Sequence, residues 1–455
     1  MKTRDLAFEF ADHSVGKSYG DLPASVAGKT REFILDTVGA AIAGSGADGI
    51  GAGLQLVREA GGTPQATVLL FGDRLPAKGV AMINGAMCQA RDFDPVYEPG
   101  VLLPYGPVFA AALAAAELAK ASGKELINAV ALGTDIACRV SDALLSGLAW
   151  SRTATLGVFG AAIAAARLLR LDRDQTVSAL GLALSQSAGN IQTVIDGSLA
   201  KRYQGGFAAE AGLKAALLAS RGVTGPSNVF EGRCGYFNLY EAGRFRREAA
   251  LDGLGERYAG AESSIKPFPC SREHHGALAA ALRLYNEGVR GADVESAVVT
   301  LPPNAFALSG KPFRRSEVTT VGGVISSAAY GVAVALMRGR VTLDDFQQAA
   351  ISRPDVVELA ERIDVRPDAT ITDAKALVPQ SVAVKLRGGA SRDALSQGMP
   401  GSPAMPLTSS ELREKFTACL SHSALALAPG RADAITGALD NLENLASVSD
   451  LNGFS

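Results

Sequence analysis

The feature that most limits the fold of this chain is a set of alanine- and glycine-rich segments at residues 108–121, 156–171 and 207–219. At helical spacing, side chains this small let helix axes approach closely. Residues 24–43 add a segment whose apolar positions also recur at helical spacing. No convincing strand pattern occurs between residues 75 and 255. The sequence therefore predicts an all-α core for this part of the chain.

The pattern changes after residue 256. Alternating residues at 296–302, 362–366 and 381–387 are typical of half-buried strands, and helical segments, one of them at 318–337, lie between them. Strands alternating with helices predict an α+β or α/β arrangement for this second part.

A chain of 455 residues is too long for one core, so we expect two domains. A Pro- and Gly-rich linker at residues 398–406 precedes two helical segments that cannot bury their apolar faces alone. The predicted fold is mostly α. Residues 1–256 form a large all-α helical domain, residues 257–400 a smaller α+β lid domain, and residues 401–455 the C-terminal helices that pack back on the first domain.

The charge balance and the cysteines exclude several classes of protein. With 44 Lys and Arg against 46 Asp and Glu, a net charge of −2 gives no surface suited to nucleic acid or an anionic membrane. No apolar run reaches the ~18 residues of a membrane span, and no signal peptide is evident. The 5 Cys form no C-x-x-C pair, which favours a reducing compartment and argues against a zinc site. We expect a cytoplasmic protein without a metal ion.

One motif with the spacing of a nucleotide fingerprint is interpreted as structural. Residues 44–49 read Gly-Ser-Gly-Ala-Asp-Gly, which formally matches G-x-G-x-x-G. That fingerprint follows a strand, whereas residues 24–43 are helical in pattern. These glycines are therefore predicted to end a helix.

The densest group of ionisable residues lies between Ser263 and Gly276. It contains Lys266, Arg272 and two of the four His of the chain, and it leads into an alanine-rich helical segment. Two prolines stiffen this lead-in, so a rigid loop can present charge to an anionic ligand at a helix N-terminus. The alternative is an ordinary polar loop with a solvated lysine and arginine.

Two further polar segments are candidates. Asp92 and Asp94 lie in a polar loop, where they either serve turn and N-cap chemistry or orient a substrate hydroxyl. Lys201 and Arg202 precede Gly205-Gly206 in a segment predicted to interrupt the helices. They form either a solvated face or a clamp for a carboxylate, which the glycines would allow close to the backbone.

Together these groups suit a small polycarboxylate and the movement of a proton on a carbon beside a carboxylate. Fixed cations stabilise the negative charge that such a reaction places on carboxylate oxygens. A lysine serves as the base only if burial or a neighbouring cation lowers its pKa. The residues alone do not separate such an enzyme from a binding protein.

Short motifs distributed along nearly the whole chain resemble those of the MmgE/PrpD family, which contains 2-methylcitrate dehydratase, cis-aconitate decarboxylase and iminodisuccinate epimerase. In chain order they include Leu35-Asp36-Thr37-Val38-Gly39, Asn84-Gly85, Asp92-Phe93-Asp94, Thr153-Ala154-Thr155, Lys201-Arg202, Gly225-Pro226, Glu231-Gly232, Lys266-Pro267-Phe268-Pro269-Cys270 and Lys415-Phe416.

The resemblance implies a homodimer that acts on a small carboxylate without a metal ion or an organic cofactor. It implies four catalytic residues, Asp92, Lys201, Lys266 and His275, with Lys266 as base and His275 as proton relay. The expected substrate-binding residues are Arg272, Arg202, Asp94, Ser151, Gln204 and Tyr330.

The chain departs from the family at four positions where other members usually have histidine, which are here Gln89, Leu103, Ser151 and Gln204. These losses remove candidate proton donors for a departing hydroxyl. We therefore expect a cofactor-independent lyase or isomerase that transfers a proton beside a carboxylate. The alternatives are an epimerase of the iminodisuccinate type and a catalytically weak, metabolite-binding homodimer.

Overall fold

A computed structural model describes residues 4–145, 149–317, 320–373 and 375–451 of the chain. The chain divides into two compact units. Unit 1 consists of Met1–Gln192, Leu199–Ser263 and Arg413–Ser455, and unit 2 of Thr193–Ser198 and Ser264–Leu412. The predicted fold class, mostly α with a smaller α+β part, is confirmed. The predicted domain boundaries at 256/257 and 400/401 stay a prediction.

The described residues of unit 1 are mostly helical and contain one short hairpin, formed by β1 (Ala66–Thr67) and β2 (Arg74–Leu75). Its helices up to residue 184 are α1 (Leu6–Val15), α2 (Ala24–Gly44), α3 (Ile50–Ala60), α4 (Ala77–Gln89), α5 (Tyr105–Ala119), α6 (Gly123–Asp142), α7 (Arg152–Thr155), α8 (Gly157–Leu168) and α9 (Arg173–Leu184). Helix α10 (Gln192–Ile195) begins at the last residue of a unit 1 segment and continues into the unit 2 segment Thr193–Ser198. The next helices of unit 1 are α11 (Ala200–Ala219), α12 (Tyr236–Glu241) and α13 (Arg247–Leu251).

Local sequence signals explain where several of these helices begin and end. Helix α6 begins with a capping box, in which the Ser122 hydroxyl accepts from Glu125 N and the Glu125 carboxylate accepts from Ser122 N. Helix α2 ends at Gly44, and Gly49, with φ of +86°, precedes α3. The prediction that residues 44–49 end a helix is therefore confirmed.

Close helix packing in unit 1 depends on glycine. A Cβ atom added to Gly133 of α6 would lie 2.5 Å from Gly160 O of α8, and one on Gly160 would lie 2.6 Å from Gly133 O. Helices α4 and α11 approach in the same way, since a Cβ on Gly206 would lie 2.2 Å from Met82 O. The predicted close approach of small-residue helices is thus confirmed at both contacts.

Unit 2 combines a four-stranded sheet with helices. In chain order its elements are α14 (His275–Asn286), β3 (Val294–Leu301), α15 (Pro303–Ser309), α16 (Val321–Ile325), α17 (Ala328–Arg338), α18 (Pro354–Ala360), β4 (Ile363–Pro367), β5 (Gln380–Leu386) and β6 (Ser391–Ser396). The strand order is β4-β3-β5-β6, with β3 parallel to β4 and the other pairs antiparallel. Helix α14 packs against α17 and against β5 and β6.

The sequence predictions for unit 2 missed one strand and merged two helices into one. Strand β6 was missed because its residues lack a run of β-formers and only Ala394 among them is buried. The single helix predicted at 318–337 is wrong, since α16 ends at Ile325 and Ser327 caps α17 by accepting from Tyr330 N. Val318 and Thr319 of that prediction lie outside the described residues.

The C-terminal segment contains α19 (Ser409–Ser421) and α20 (Arg431–Asp440). From Arg413 onward the chain belongs to unit 1. Phe416 packs so closely on α2 that a Cβ on Gly39 would lie 2.9 Å from its ring, and Gly123 N donates to Leu445 O over 3.0 Å. Across the described ranges, none of the helices combines the length and apolar character needed to cross a bilayer.

Candidate functional site

The first candidate group lies in unit 1 where α4 ends. Asp92 follows α4 in a turn whose φ of +52° is unusual for a residue with a side chain, although aspartate tolerates it better than most. Its amide donates to Gln89 O over 3.0 Å, and its carboxylate lies 2.8 Å from the Nζ atom of Lys201. Asp92 is nearly buried, whereas the Lys201 side chain is 32% exposed. The structure thus brings these two predicted catalytic residues into a direct ion pair.

Lys201 and Arg202 occupy the first turn of α11, so the predicted interruption at residues 198–206 is wrong over most of its length. The glycine pair misled the prediction. Gly205 and Gly206 lie inside α11. Both positions require glycine because α4 passes too close for any side chain, with Gln89 against Gly205 and Met82 against Gly206. Their function is packing between helices.

Arg202 is directed away from Asp92. Its guanidinium donates to Asp48 O, and Nη1 lies 4.0 Å from the Asp48 carboxylate. Arg91 contacts the same turn through a hydrogen bond from Nε to Ala43 O of 3.2 Å. Burial lowers the pKa of both guanidinium groups. Arg91 binds a carbonyl in the last turn of α2, and Arg202 binds one in the turn that follows that helix.

Asp94 is fully buried beside Cys88. Burial raises the pKa of the Cys88 thiol well above its ordinary value, and the nearby Asp94 charge raises it further. The intervening residue, Phe93, accepts a hydrogen bond at its carbonyl from Lys415 Nζ over 2.9 Å.

Gln89 and Gln204, two of the four positions at which the resemblance leads us to expect histidine, make structural contacts here. Gln89 Oε1 accepts from Gly205 N over 2.8 Å and so joins α4 to α11. Gln204 accepts from Asn190 N over 2.8 Å and donates to Asn190 O over 3.2 Å. Ser151 is half-buried at the start of α7, and Leu103 N donates to Thr153 Oγ1 over 3.0 Å. An amide side chain does not ionise near neutral pH, so neither glutamine can replace an imidazole in acid–base chemistry.

The second candidate group lies in unit 2, in the segment that precedes α14. Residues 264–271 form an irregular loop, Arg272–His274 a 3₁₀ turn, and α14 begins at His275. The predicted non-helical lead-in is confirmed. Lys266 is only 2% exposed in this loop.

Gln380, which sequence reasoning missed, anchors the 3₁₀ turn and the first turn of α14 to the sheet. Its Oε1 accepts from Ala277 N over 2.7 Å, and its Nε2 donates to Glu273 O over 2.7 Å. Gln380 is fully buried at the first position of β5. A polar residue directly before a predicted strand was the available signal in the sequence, and it does not indicate which backbone groups the side chain reaches.

His275 has both ring nitrogens hydrogen-bonded. Nδ1 lies 3.1 Å from Arg272 Nη1, and Nε2 lies 3.2 Å from Cys270 O. Because a guanidinium group can only donate, Nδ1 must accept and the ring proton must lie on Nε2. Burial, the Arg272 charge, and then His274 and Lys266 lower the pKa of His275 well below 6.5. The residue is a neutral imidazole in one fixed tautomer.

Arg272 is fixed by two acceptors in unit 2. Besides His275, Nη1 donates to Pro400 O over 2.6 Å, and the side chain is almost completely buried. Such a group is oriented before any ligand arrives, which is the condition for efficient electrostatic stabilisation of an anion.

Tyr330 lies in α17 within the apolar core of unit 2. Its hydroxyl donates to Asp345 O over 2.7 Å, and burial raises its pKa well above the ordinary value. This is a structural contact, and the predicted role of Tyr330 in substrate binding stays a prediction. Among the described residues, no group of three or more His, Cys, Asp and Glu could hold a metal ion.

Comparison with known proteins extends over most of the chain. Residues 9–248 match the MmgE/PrpD N-terminal domain and residues 268–436 match the MmgE/PrpD C-terminal domain. The chain is 26% identical over 460 residues to a cis-aconitate decarboxylase-like protein, oryM, of Aspergillus oryzae, covering 95% of this chain and 93% of that protein.

Two relatives named cis-aconitate decarboxylase are similarly distant. The protein of Aspergillus terreus is 28% identical over 368 residues, covering 75% of this chain and 74% of its own length. The protein of Homo sapiens is 25% identical over 466 residues, covering 99% of this chain and 94% of its own length.

Proposed function

The chain belongs to the MmgE/PrpD family, and from this premise we propose that it is a lyase that acts on a small polycarboxylate without a metal ion or an organic cofactor. The observation that carries the proposal is that Lys266, Arg272 and His275 are all buried in one segment of unit 2, with Arg272 hydrogen-bonded to His275. Two cations held beside a neutral imidazole suit a substrate with several carboxylates. The names of the relatives favour loss of carbon dioxide as the reaction to test first.

Each residue has a distinct role in this proposal. Arg272 binds a substrate carboxylate, because its guanidinium group is oriented in advance. Lys266 exchanges a proton with the carbon beside that carboxylate, as an amine when a proton leaves and as an ammonium when one arrives. His275 positions Arg272, since both of its ring nitrogens are already hydrogen-bonded. In unit 1, Lys201 is held by Asp92 and is a separate candidate for binding a carboxylate.

A specific observation favours an isomerase or epimerase as the second candidate. Gln89 and Gln204, at family histidine positions, are hydrogen-bonded to backbone groups and cannot protonate a leaving group. Removal and return of a proton at one carbon requires no leaving group. The catalytically weak, metabolite-binding homodimer is the remaining alternative.

The experiment is incubation of the protein with cis-aconitate, 2-methylcitrate and related acids in D₂O, followed by NMR. We expect either carbon dioxide release with deuterium at a carbon that shares the negative charge left by decarboxylation, or deuterium exchange beside a carboxylate if the reaction is an isomerisation. Lys266→Ala should abolish both. Lys385→Ala, which removes an exposed lysine paired with Glu295 in the same unit, is the matched control and should retain activity.

Two further outcomes decide between the alternatives. Binding of an acid without any exchange or release would contradict the enzyme proposal and favour a metabolite-binding protein. Loss of activity on treatment with EDTA would contradict the metal-independent mechanism. We also propose that the protein is a cytoplasmic homodimer. Light scattering of the purified protein measures its mass in solution and so tests the homodimer.

A further inference from the structure

Lys415 on α19 is a buried cation with three partners in unit 1. Its Nζ lies 2.6 Å from Asp36 Oδ1 of α2, and the two side chains are 5% and 1% exposed. The same ammonium group donates to Phe93 O over 2.9 Å and lies 3.9 Å from the centroid of the Phe93 ring. A carboxylate, a carbonyl and an aromatic face therefore meet at one ammonium group.

The residue held in this way is the middle one of Asp92-Phe93-Asp94. On one side of it, Asp92 has a φ of +52° and pairs with Lys201. On the other side, Asp94 is fully buried. A non-glycine residue in the left-handed region is strained and persists only where its surroundings hold it there. The bond from Lys415 to the next carbonyl along the chain is such a restraint.

Stability alone does not account for this arrangement. Two charges buried at this depth lose their hydration, and an apolar pair of similar volume would often stabilise a core equally well. What an apolar pair could not provide is a hydrogen bond to a particular carbonyl. The position of the contact, one residue from Asp92, indicates that the placement of that carbonyl is what the pair contributes.

We propose that Lys415 is a positioning residue, which holds the 92–94 turn in the conformation that presents the Asp92 carboxylate to Lys201. Asp36 is its counter-ion and keeps the ammonium group in place. The effect on catalysis rests on the function proposed above, whereas the effect on the turn does not.

The principal variant is Asp36→Asn combined with Lys415→Met, which removes both charges and leaves no buried charge without its counter-ion. Hydrogen exchange of the purified protein is measured by mass spectrometry. We expect peptides spanning residues 91–97 to exchange about tenfold faster or more, with the rest of unit 1 unchanged. Lys415→Arg, which keeps the charge, should show a smaller effect and serves as a second variant if the double variant does not fold.

Arg413→Ala is the matched control, because Arg413 lies on the same helix but forms an exposed ion pair with Asp440. It should change neither the exchange nor the activity. If Lys415 had a purely structural role, the double variant would instead show faster hydrogen exchange throughout α2 and α19.

Kinetics on an accepted substrate provide the second readout. The double variant should lower kcat by roughly ten- to a hundredfold with little change in KM, because a misplaced group costs rate more than binding. Adding Lys415→Met to Asp92→Asn should reduce kcat no further than Asp92→Asn alone.

The outcomes separate this inference from the proposed function. Unchanged exchange in residues 91–97 in both the folded double variant and Lys415→Arg would overturn the positioning role. Faster exchange in that turn, combined with no activity of the unsubstituted protein on any acid, would uphold the positioning role and refute the proposed function.

Discussion

Several long polar side chains in this protein end at backbone carbonyls that are distant in sequence. Arg272 reaches Pro400 O, Lys415 reaches Phe93 O and Gln380 reaches Glu273 O. Such contacts satisfy buried donors and fix irregular backbone that no regular secondary structure would hold. At the residue scale, the candidate site therefore depends on contacts between its side chains and distant backbone as well as on the residues proposed for the chemistry.

His275 provides a prediction about pH. Its pKa in the folded protein is well below 6.5, because burial and then Arg272 disfavour the imidazolium ion. In the unfolded chain the residue takes up a proton near its usual pKa, so its contribution to stability is complete above about pH 6.5 and is lost as the pH falls. His275→Gln keeps a hydrogen-bond acceptor and a donor. It should make the free energy of unfolding less dependent on pH below about 6.5.

The measurement is urea denaturation of each variant at several pH values between 5 and 8. His422→Gln, at a partly exposed position after α19, is the control and should behave like the unsubstituted protein. If His275→Gln destabilises the protein equally at every pH, the histidine is not held neutral in the folded state.

At the scale of elements, the positions of the glycines determine how closely helices pack. In α8, a Cβ on Gly160 would meet Gly133 O at 2.6 Å and Val108 at 2.7 Å. Neither neighbour can move without shifting a helix. The small residues noted in the sequence are therefore part of the packing geometry of unit 1.

We predict that Gly160→Ala destabilises unit 1 by about 1–3 kcal/mol through overpacking. Gly28→Ala in α2 is the matched control, since nothing lies within 4 Å of the added Cβ. It should be neutral or stabilise the protein by up to about 1 kcal/mol, because alanine favours the helix. Denaturation midpoints measure the stability of the two variants, and equal midpoints would contradict the packing argument.

At the scale of the whole molecule, buried charges join parts of the chain that are distant in sequence. Arg139 of α6 is completely buried, pairs with Asp135 at 2.8 Å and donates to the carbonyls of Ala250, Asp252, Gly253 and Arg257. Asp135 also accepts from Ala259 N over 2.6 Å. The Arg139 guanidinium and the Asp135 carboxylate together hold residues 250–259 on α6.

Arg139→Met is expected to destabilise unit 1 by about 3–5 kcal/mol, because it leaves the buried Asp135 carboxylate without its counter-ion and several carbonyls without the guanidinium donor. Arg283→Ala is the control, because its pair with Glu287, at 3.8 Å, is exposed and should contribute less than about 1 kcal/mol. Thermal unfolding measures both. A melting temperature unchanged by Arg139→Met would show that the network is dispensable.

Sequence alone determined much of the local structure. Hydrophobic period, turn residues and proline were enough to predict four features. These are the helical core, the helix end at residues 44–49, strands β3 to β5 and the stiff lead-in to α14. The sequence prediction missed β6 and the break between α16 and α17, and it placed Lys201 and Arg202 in a loop. In each of these cases a contact outside the segment decides its conformation: strand pairing with β5, a serine cap, and the packing of α4 on two glycines.

The sequence also identified the types of residue in the candidate site, since lysine, arginine, histidine and aspartate are recognisable wherever they lie. Only the tertiary structure decided their states. It pairs Lys201 with Asp92, directs Arg202 to Asp48, and fixes His275 as a neutral tautomer. It also revealed Gln380 and Lys415 as supports. The physical reason is that hydrophobic period is encoded over a few residues, whereas hydrogen-bond partners and burial depend on residues brought together from tens or hundreds of positions away.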